Sequence, residues 1–165
     1  LISDSEIFTK HEICTRGYIA RCKNFEVGDL LLAKITPSLE NGKQGIVPSD
    51  IPGGFALATT EVFPISCKGI DRLFLFYVLK YPKFRKVLER SMTGTTGRQR
   101  VSKRAVERLR IPLPPLPEQQ RIAKILSIVD YRLGLERQRK EKMERLKQGL
   151  MNALITGRRR LKVVM

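Results

Sequence analysis

The chain has no tryptophan, a single histidine and only three cysteines among its 165 residues. Cys14, Cys22 and Cys67 are odd in number and widely spaced, which fits neither a disulfide framework nor a zinc site and favours a reducing cytoplasm. The lone His11 is typical of surface decoration, and without metal-ligand spacing it argues against zinc hydrolysis or a histidine-based nucleophile triad. No apolar run could span a membrane, and the first residues lack the charged and apolar regions of a signal peptide. Because no methionine begins the chain, we expect a processed protein or an excised piece.

The sequence also lacks the motifs of the common enzyme classes. It contains neither the Gly-x-x-x-x-Gly-Lys-Ser/Thr phosphate loop nor a Gly-x-Gly-x-x-Gly turn after a strand. The Asn/Asp-Pro-Pro-aromatic tetrapeptide of amino-methyltransferases is absent as well. Glu40 and Lys43 are the one pair that a metal-dependent nuclease could use, and nothing else in the sequence supports that role. We therefore expect no catalytic activity in this chain.

Positive charge is abundant and unevenly placed. Residues 1–79 hold 8 Lys/Arg against 9 Asp/Glu, residues 80–110 hold 11 against 2, and residues 111–165 hold 13 against 5. Such a distribution predicts a polyanionic partner, and it favours nucleic acid over a membrane surface because no basic amphipathic segment carries membrane-seeking aromatics. For residues 111–165 the alternative is simply a solvated helix surface.

The first two thirds of the chain predict a small mixed α/β domain. Residues 30–35 form an apolar run of the length of a buried strand, residues 45–47 and 56–65 indicate further strands, and residues 7–9 and 18–20 are weaker strand candidates. Helical spacing follows at 70–81, whose aromatic side chains we interpret as core rather than as a base-stacking platform. Two short basic helices are expected at 83–89 and 103–109, the second capped by Ser102.

A long helix is predicted after the proline-rich joint at 112–117. Pro117 suits a first helical position, and Gly157 can adopt the left-handed conformation that ends a helix. A helix over 118–157 is roughly 60 Å long at 1.5 Å per residue, and a basic tail follows at 158–165. Apolar residues spaced by three or four positions form a pairing seam along it: Ile122, Leu126, Val129, Leu133, Met143, Leu146, Leu150 and Leu154.

This helix needs a partner that the 165 residues do not provide. Glu136, Lys140 and Lys147 interrupt the seam, and Gly134 and Gly149 each weaken a helix by roughly 1 kcal/mol relative to alanine. Because isolated helices depend on packing for stability, we expect pairing with a second chain or with a missing part of a parent protein.

Residues 91–101 form a loop of small residues that ends in Arg-Gln-Arg, within the most basic part of the sequence. Threonine hydroxyls can donate to phosphates, arginine can pair with guanine in a major groove, and glutamine can pair with adenine. The alternative is a flexible, solvated basic loop. On the DNA-facing interpretation, the candidate contacts are Lys34, Thr36, Lys43, Thr60, Lys83, Lys86, Thr93, Thr95, Thr96, Arg98, Gln99, Arg100, Lys103 and Arg104.

Several stretches resemble one family. Residues 112–126, PLPPLPEQQRIAKIL, resemble the entry into the long helix of type I restriction–modification specificity subunits, and residues 146–151 and 154–157 resemble its exit. Residues 28–38, 41–43, 59–61 and 93–101 are similar to one class of that family's target recognition domain. The resemblance covers nearly the whole chain, and the helix-entry motif is its most specific part.

The resemblance implies a division of labour among subunits. Family members carry two recognition domains joined by two antiparallel helices, and each domain reads one half of a bipartite DNA site. Two modification subunits bind S-adenosylmethionine and methylate adenine, and a restriction subunit adds ATP- and Mg-dependent translocation and cleavage. This chain, with no cofactor of its own, holds one domain and one helix. It is therefore either half of a full subunit or a half-size subunit that self-associates, which for a homodimer implies inverted identical half-sites.

Taken together, these features predict an α+β protein with a recognition domain at 1–111 and a long C-terminal coiled-coil helix. We expect a non-catalytic DNA-specificity subunit whose partners are double-stranded DNA, modification and restriction subunits, and a second copy or the missing half. A stand-alone DNA-binding regulator dimerised by its helix is the main alternative. An RNA-binding or scaffold protein and a nuclease are the others.

Overall fold

The computed structural model describes residues 22–50, 55–95 and 97–161, and shows an α+β fold with a long C-terminal helix. The predicted strands at 7–9 and 18–20 lie outside these residues. The strands are β1 (Cys22–Glu26), β2 (Leu30–Ala33), β3 (Gln44–Ile46), β4 (Phe55–Thr59) and β5 (Val62–Ile65). The helices are α1 (Arg72–Lys80), α2 (Pro82–Arg90), α3 (Lys103–Glu107) and α4 (Leu116–Ile155).

A three-stranded antiparallel sheet, ordered β3-β2-β5, is the centre of the domain. Leu30 pairs with Ile46 on one side and Ile65 on the other, and every residue of β2 is buried. The apolar run at 30–35 is therefore a central strand, as predicted, although the regular ladder stops at Ala33. Two positions later, Ile35 forms an isolated antiparallel bridge with Arg100.

The second sheet consists of β1 and β4, which are antiparallel in the register Cys22 to Thr59. The apolar pattern over 56–65 predicts strands there, and the structure divides it into β4 and β5 with a turn at Thr60–Glu61. β1 was not predicted, because its sequence, CKNFE, has no apolar alternation. Gly28 turns the chain from β1 into β2 with a φ of +87°, and an added Cβ there would collide with the Arg72 guanidinium.

The helices α1 and α2 are close to their predicted positions. Asp71 caps α1 by accepting from the Phe74 backbone N–H at 2.8 Å, and Pro82 occupies the first turn of α2, where a missing N–H is tolerated. The predicted core role of the α1 aromatics is confirmed for Phe74 and Phe76, which are buried. The main core cluster consists of Leu30, Leu32, Leu39, Ile46, Leu75, Phe76, Leu79, Leu88 and Val101. Each such side chain contributes roughly 1.5–3 kcal/mol when fully buried.

A buried arginine connects α2 to the loop after β2. Arg85 is 6% exposed, and its guanidinium donates to the Leu39 carbonyl at 2.6 Å, to Gln44 Oε1 at 2.7 Å and to the Leu79 carbonyl at 2.8 Å. Burial lowers its pKa, since the charged form loses water. The Gln44 amide in turn donates to the Phe76 carbonyl. Arg85 is thus a structural side chain, although the sequence groups it with the surface cations of α2.

The helix α4 begins at Leu116 and ends at Ile155, two residues earlier at each end than predicted. Pro117 is accordingly its second residue. Gly157 has a φ of +72°, as the predicted cap requires, and its backbone N–H donates to the Leu154 carbonyl at 3.2 Å. Despite its 40 residues, neither α4 nor any other helix of the described ranges is long and apolar enough for a membrane crossing.

The chain divides into two compact units, residues 1–125 and residues 126–165, so the first turns of α4 belong to the domain. Gln119 is 2% exposed and accepts from the Asp71 N–H at 2.9 Å, while its amide donates to the Pro114 carbonyl at 2.8 Å. Ala123 packs beside it against Phe74 and Val78. These contacts fix the helix entry to α1.

Candidate nucleic-acid interface

Three loops that are far apart in sequence meet at one surface. The Lys34 N–H donates to the Glu61 carbonyl at 3.1 Å, and the Val101 N–H donates to the Lys34 carbonyl at 2.9 Å. Two residues after Lys34, the Thr36 N–H donates to the Gln99 carbonyl at 3.0 Å. We call residues 34–36, 60–61 and 93–100 the three-loop surface. The structure therefore brings together candidates that the sequence selects independently from each loop.

The stretch 93–100 is a tight hairpin rather than an open loop. Thr93 and Arg100 exchange two backbone hydrogen bonds, of 3.0 and 2.8 Å, and the Arg98 N–H donates to the Thr95 carbonyl at 2.9 Å. Gly94 has a φ of +132°, and a Cβ there would lie 2.7 Å from the Arg98 carbonyl oxygen. The glycine thus permits a close approach within the hairpin itself. Thr96 lies outside the described residues.

Arg98 and Arg100 differ in their partners. Arg100 is held by Glu61 in a two-point ion pair, Nε to Oε2 and Nη2 to Oε1, each at 3.0 Å. This pair raises the pKa of Arg100, since hydrogen bonding to the carboxylate favours its charged form. Arg98 is exposed, and no carboxylate of the described ranges pairs with it. Within the described residues of this hairpin, Arg98 is therefore the arginine whose guanidinium N–H groups are all open to a ligand.

The loop after β2 contributes backbone structure and two cations. Lys34 places its Nζ 5.5 Å from the centre of the Phe63 ring, which holds the charge beside the surface. The Thr36 hydroxyl donates to Glu40 Oε1 at 3.3 Å, and Gly42 turns the chain with a φ of +76°. The half-buried Lys43 follows, and its N–H donates to the Ser38 carbonyl at 2.8 Å.

Glu40 and Lys43, the pair that a metal-dependent nuclease could use, lie in this loop, and Glu40 accepts from the Thr36 hydroxyl. Within residues 22–50, 55–95 and 97–161, no three His, Cys, Asp or Glu side chains come together as metal ligands would.

The remaining predicted cations lie on the two short helices after β5. Lys83 and Lys86 are exposed on α2. Lys103, on α3, pairs with Glu107 at 3.3 Å, and Arg104 lies with Lys83 at a cleft between these helices. The described contacts place none of the four within the three-loop surface. They form a separate basic region on the same domain.

Glu61 is the residue of this surface that sequence analysis undervalued. An acidic side chain in a basic neighbourhood is a usable signal, because such a residue often pairs with a cation. Its partner, however, is 39 positions away, and no local pattern identifies Arg100 rather than Arg98. The role of Arg85 is equally hard to read locally, since two of its acceptors, on Leu39 and Gln44, are more than forty positions away.

The predicted pairing seam is exposed from Leu126 to Leu154. Its side chains there are between 38% and 57% exposed: Leu126, Val129, Leu133, Met143, Leu146, Leu150 and Leu154. The first seam residue, Ile122, instead packs against the cluster of Phe74, Val78 and Ala123 and belongs to the domain core. The middle of the helix is charged, with an Arg139–Glu136 contact of 3.9 Å and a Lys140–Glu144 contact of 3.7 Å.

Several known proteins are similar to this chain. The type I restriction enzyme EcoAI specificity subunit of Escherichia coli is 42% identical over 102 residues, which is 60% of this chain and 17% of that protein. The type I restriction enzyme MjaVIII specificity subunit of Methanocaldococcus jannaschii is 32% identical over 136 residues, 82% of this chain and 32% of that protein. The crystal structure of the HsdS subunit from Thermoanaerobacter tengcongensis has a TM-score of 0.67 at 26% identity, covering 91% of this chain and 39% of that one.

The chain thus spans well under half the length of each of these relatives. A protein family, described as the type I restriction modification DNA specificity domain, matches residues 4–145, which include both the domain and most of α4. With this match over most of its length, the chain belongs to the type I restriction–modification DNA specificity domain family.

Proposed function

We propose that this chain reads one half of a bipartite DNA target for a type I restriction–modification system and performs no chemistry itself. One observation carries the proposal: the backbone hydrogen bonds that join three loops into a single surface. A surface that is fixed in this way can hold side chains against base edges without ordering them anew on binding. Family membership supplies the context.

Different residues of the domain would have different roles in this proposal. Arg98 can donate two hydrogen bonds to guanine O6 and N7, and Gln99 can pair with adenine in the same groove. The hydroxyls of Thr60, Thr93, Thr95 and Thr96 can donate to phosphates, as can Lys34 and Lys43. Thr36 would do so by exchanging its hydrogen bond to Glu40 for one to a phosphate. On the short helices, we assign phosphate contacts to Lys83, Lys86, Lys103 and Arg104. Arg100 would contact the DNA while it remains paired with Glu61.

The exposed seam of α4 would bind a second long helix. Its source is a second copy of this chain or the complementary half of a longer subunit, and the paired helices would then dock the modification subunits. Those subunits would carry S-adenosylmethionine, and the restriction subunit would carry ATP and Mg. We place this assembly in the cytoplasm. A stand-alone regulator would use the same seam without recruiting a modification subunit, so mixing the two purified components separates these proposals.

The proposal is tested by selecting duplexes from a random library with the chain in its natural assembly, and by repeating the selection with Arg98→Ala. We expect the variant to lose discrimination at one base position by roughly 1–3 kcal/mol, because one bidentate base contact disappears. All affinities are compared at one salt concentration, since phosphate contacts make them steeply salt-dependent.

The matched control is Lys68→Ala, which removes a cation from an exposed bend outside the three-loop surface. It should leave the selected sequence unchanged. If Arg98→Ala weakens all duplexes equally, Arg98 contacts a phosphate. If the unaltered chain selects no sequence at all, the proposed function is wrong.

A further inference from the structure

A cleft of about 600 Å³ lies between α2 and α3, apart from the backbone ladder that forms the three-loop surface. Ser91 and Ser102, which flank the 93–100 hairpin in sequence, line one part of it. The cleft is large enough for one or two amino-acid side chains of a bound peptide, since ligand pockets commonly measure roughly 300–1,000 Å³.

The floor of the cleft is apolar. Phe84 and Val87 from α2 and Ala105 and Leu109 from the α3 region line it. Val87 is 50% exposed although it lies on a helix whose other face is in the core. Tyr81, 56% exposed and 6.0 Å from Phe84 between ring centres, extends the same patch. Together these side chains form a small exposed apolar patch that an apolar side chain of a ligand could cover.

The rim of the cleft is cationic. Its charged lining residues are Lys83, Arg104, Arg108 and Arg110, and no carboxylate lines it. The ion pairs that the described part of the domain shows belong to other cations, Arg100 and Lys103. The four rim charges are therefore not neutralised by the described part of the chain. Their complement is a ligand with several carboxylates or phosphates.

The apolar floor favours a ligand with carboxylates over one with phosphates. A duplex backbone offers phosphates to the rim but presents no apolar side chain that could cover Phe84 and Val87. A peptide in which carboxylates flank a large apolar residue matches both the floor and the rim. We propose that the cleft between α2 and α3 is a docking site for an acidic peptide segment of a partner protein, anchored by an apolar side chain.

This inference does not depend on the proposed DNA-reading role. Lys83 and Arg104 are also candidates for phosphate contacts, so they are unsuitable for the test. Val87 and Arg108 line the cleft and are not among the DNA-contact candidates. Both are exposed, so substitution there leaves the core intact.

The test is fluorescence anisotropy of the full chain with a fluorescein-labelled octapeptide whose central Leu-Phe pair is flanked by Asp and Glu. We expect Arg108→Glu to weaken binding about fivefold and Val87→Asp about tenfold, because one reverses a rim charge and the other places a charge on the floor. Replacing Leu-Phe by Ser-Ser in the peptide should weaken binding as Val87→Asp does. Lys68→Glu, which makes the same charge reversal outside the cleft, should bind normally.

Three outcomes would overturn the proposal. The first is a peptide that does not bind, and the second is binding that Val87→Asp and Arg108→Glu leave unchanged. The third is a loss of duplex affinity in these variants equal to the loss of peptide affinity, which would make the cleft part of the DNA surface. A failure of sequence selection in the Arg98 experiment leaves all three measurements interpretable, so the two proposals fail separately.

Discussion

Arg98 and Arg100 stand two residues apart in one hairpin, but only Arg100 has a carboxylate partner in the described structure. The Glu61 pair orients the Arg100 guanidinium and also places a negative charge on a surface that we expect to meet phosphates. At the residue scale, the contribution of Arg100 is therefore coupled to that of Glu61. Exchanging the carboxylate for an amide removes the negative charge and one of the two acceptors of Arg100, while glutamine keeps the shape of the side chain.

Glu61→Gln should raise affinity for non-specific duplexes about two- to fivefold, the order of one screened surface charge, and should lower discrimination because Arg100 is held less firmly. Binding to selected and scrambled duplexes at one ionic strength measures both effects. The control is Glu40→Gln, which removes a carboxylate from the neighbouring loop without touching Arg100. Identical behaviour of the two variants would reduce Glu61 to a general charge effect.

Arg85 shows the opposite use of an arginine, since its three acceptors are all within the domain. Arg85→Met should lower the free energy of unfolding by about 2–4 kcal/mol, because Gln44 Oε1 and the buried Leu39 and Leu79 carbonyls each lose a charged donor. The chain has no tryptophan, so far-UV circular dichroism in urea is the suitable measurement. Arg90→Met, on the same helix but exposed, should change stability by no more than about 0.5 kcal/mol; equal effects would mean that the Arg85 hydrogen bonds contribute little.

At the scale of elements, one side chain makes hydrogen bonds that connect the entry of α4 to the start of α1 and to the joint. Gln119 accepts the Asp71 N–H, just before α1 begins, and donates to Pro114 in the joint. We expect Gln119→Ala to lower stability by about 1–3 kcal/mol, since a partly buried N–H loses its acceptor. Backbone amides around the helix entry should also exchange faster with deuterium, as mass spectrometry can measure.

The neighbouring Gln120 provides a matched control, because it has the same side chain in the same helical turn but is exposed. Gln120→Ala should change neither stability nor exchange at the joint. Similar exchange in both variants would show that the apolar contact of Ala123 with Phe74 and Val78 holds the entry, and that the Gln119 hydrogen bonds are secondary.

The elements that could be predicted are those whose signal is local. β2 is an uninterrupted apolar run, α1 has helical spacing with a capping aspartate, and Gly157 ends α4 with the conformation that its residue type suggests. β1 could not be predicted because its strand character comes from pairing with β4, whose partner residues are 29 to 37 positions away. Tertiary pairing overrides weak local propensity in such cases.

The candidate site also combines features that the sequence predicts with features that only the tertiary structure shows. Its residue types and loops follow from composition and turn signals, because clustered cations and glycines are visible in the sequence. Which loops touch, and which arginine is paired, depends on hydrogen bonds between residues as distant as Lys34 and Val101. The same reason explains why Ile122 was assigned to the seam. Its spacing fits the seam, and only the position of α1 shows that the domain uses it.

On the scale of the whole molecule, a domain and an exposed seam are present in one chain, and neither completes the proposed function alone. From Leu126 onward the apolar side chains of the seam are roughly half exposed. Other positions of the same seam carry charged residues such as Glu136 and Lys140. Burying the apolar members against another helix would contribute roughly 25 cal/mol for each Å² of apolar surface. We therefore expect the seam to drive self-association, which can be measured directly.

Leu126→Asp should convert a dimer into a monomer in sedimentation equilibrium, because a charge on the apolar seam is buried without a partner on pairing. The circular dichroism of the folded domain should persist. Tyr131→Asp is the matched control, since Tyr131 is 68% exposed on the same helix but lies off the seam. If Leu126→Asp remains dimeric, the seam is not the interface. If the unaltered chain is itself monomeric, its helix pairs with a complementary half, and the same two substitutions should then be compared for binding to that half.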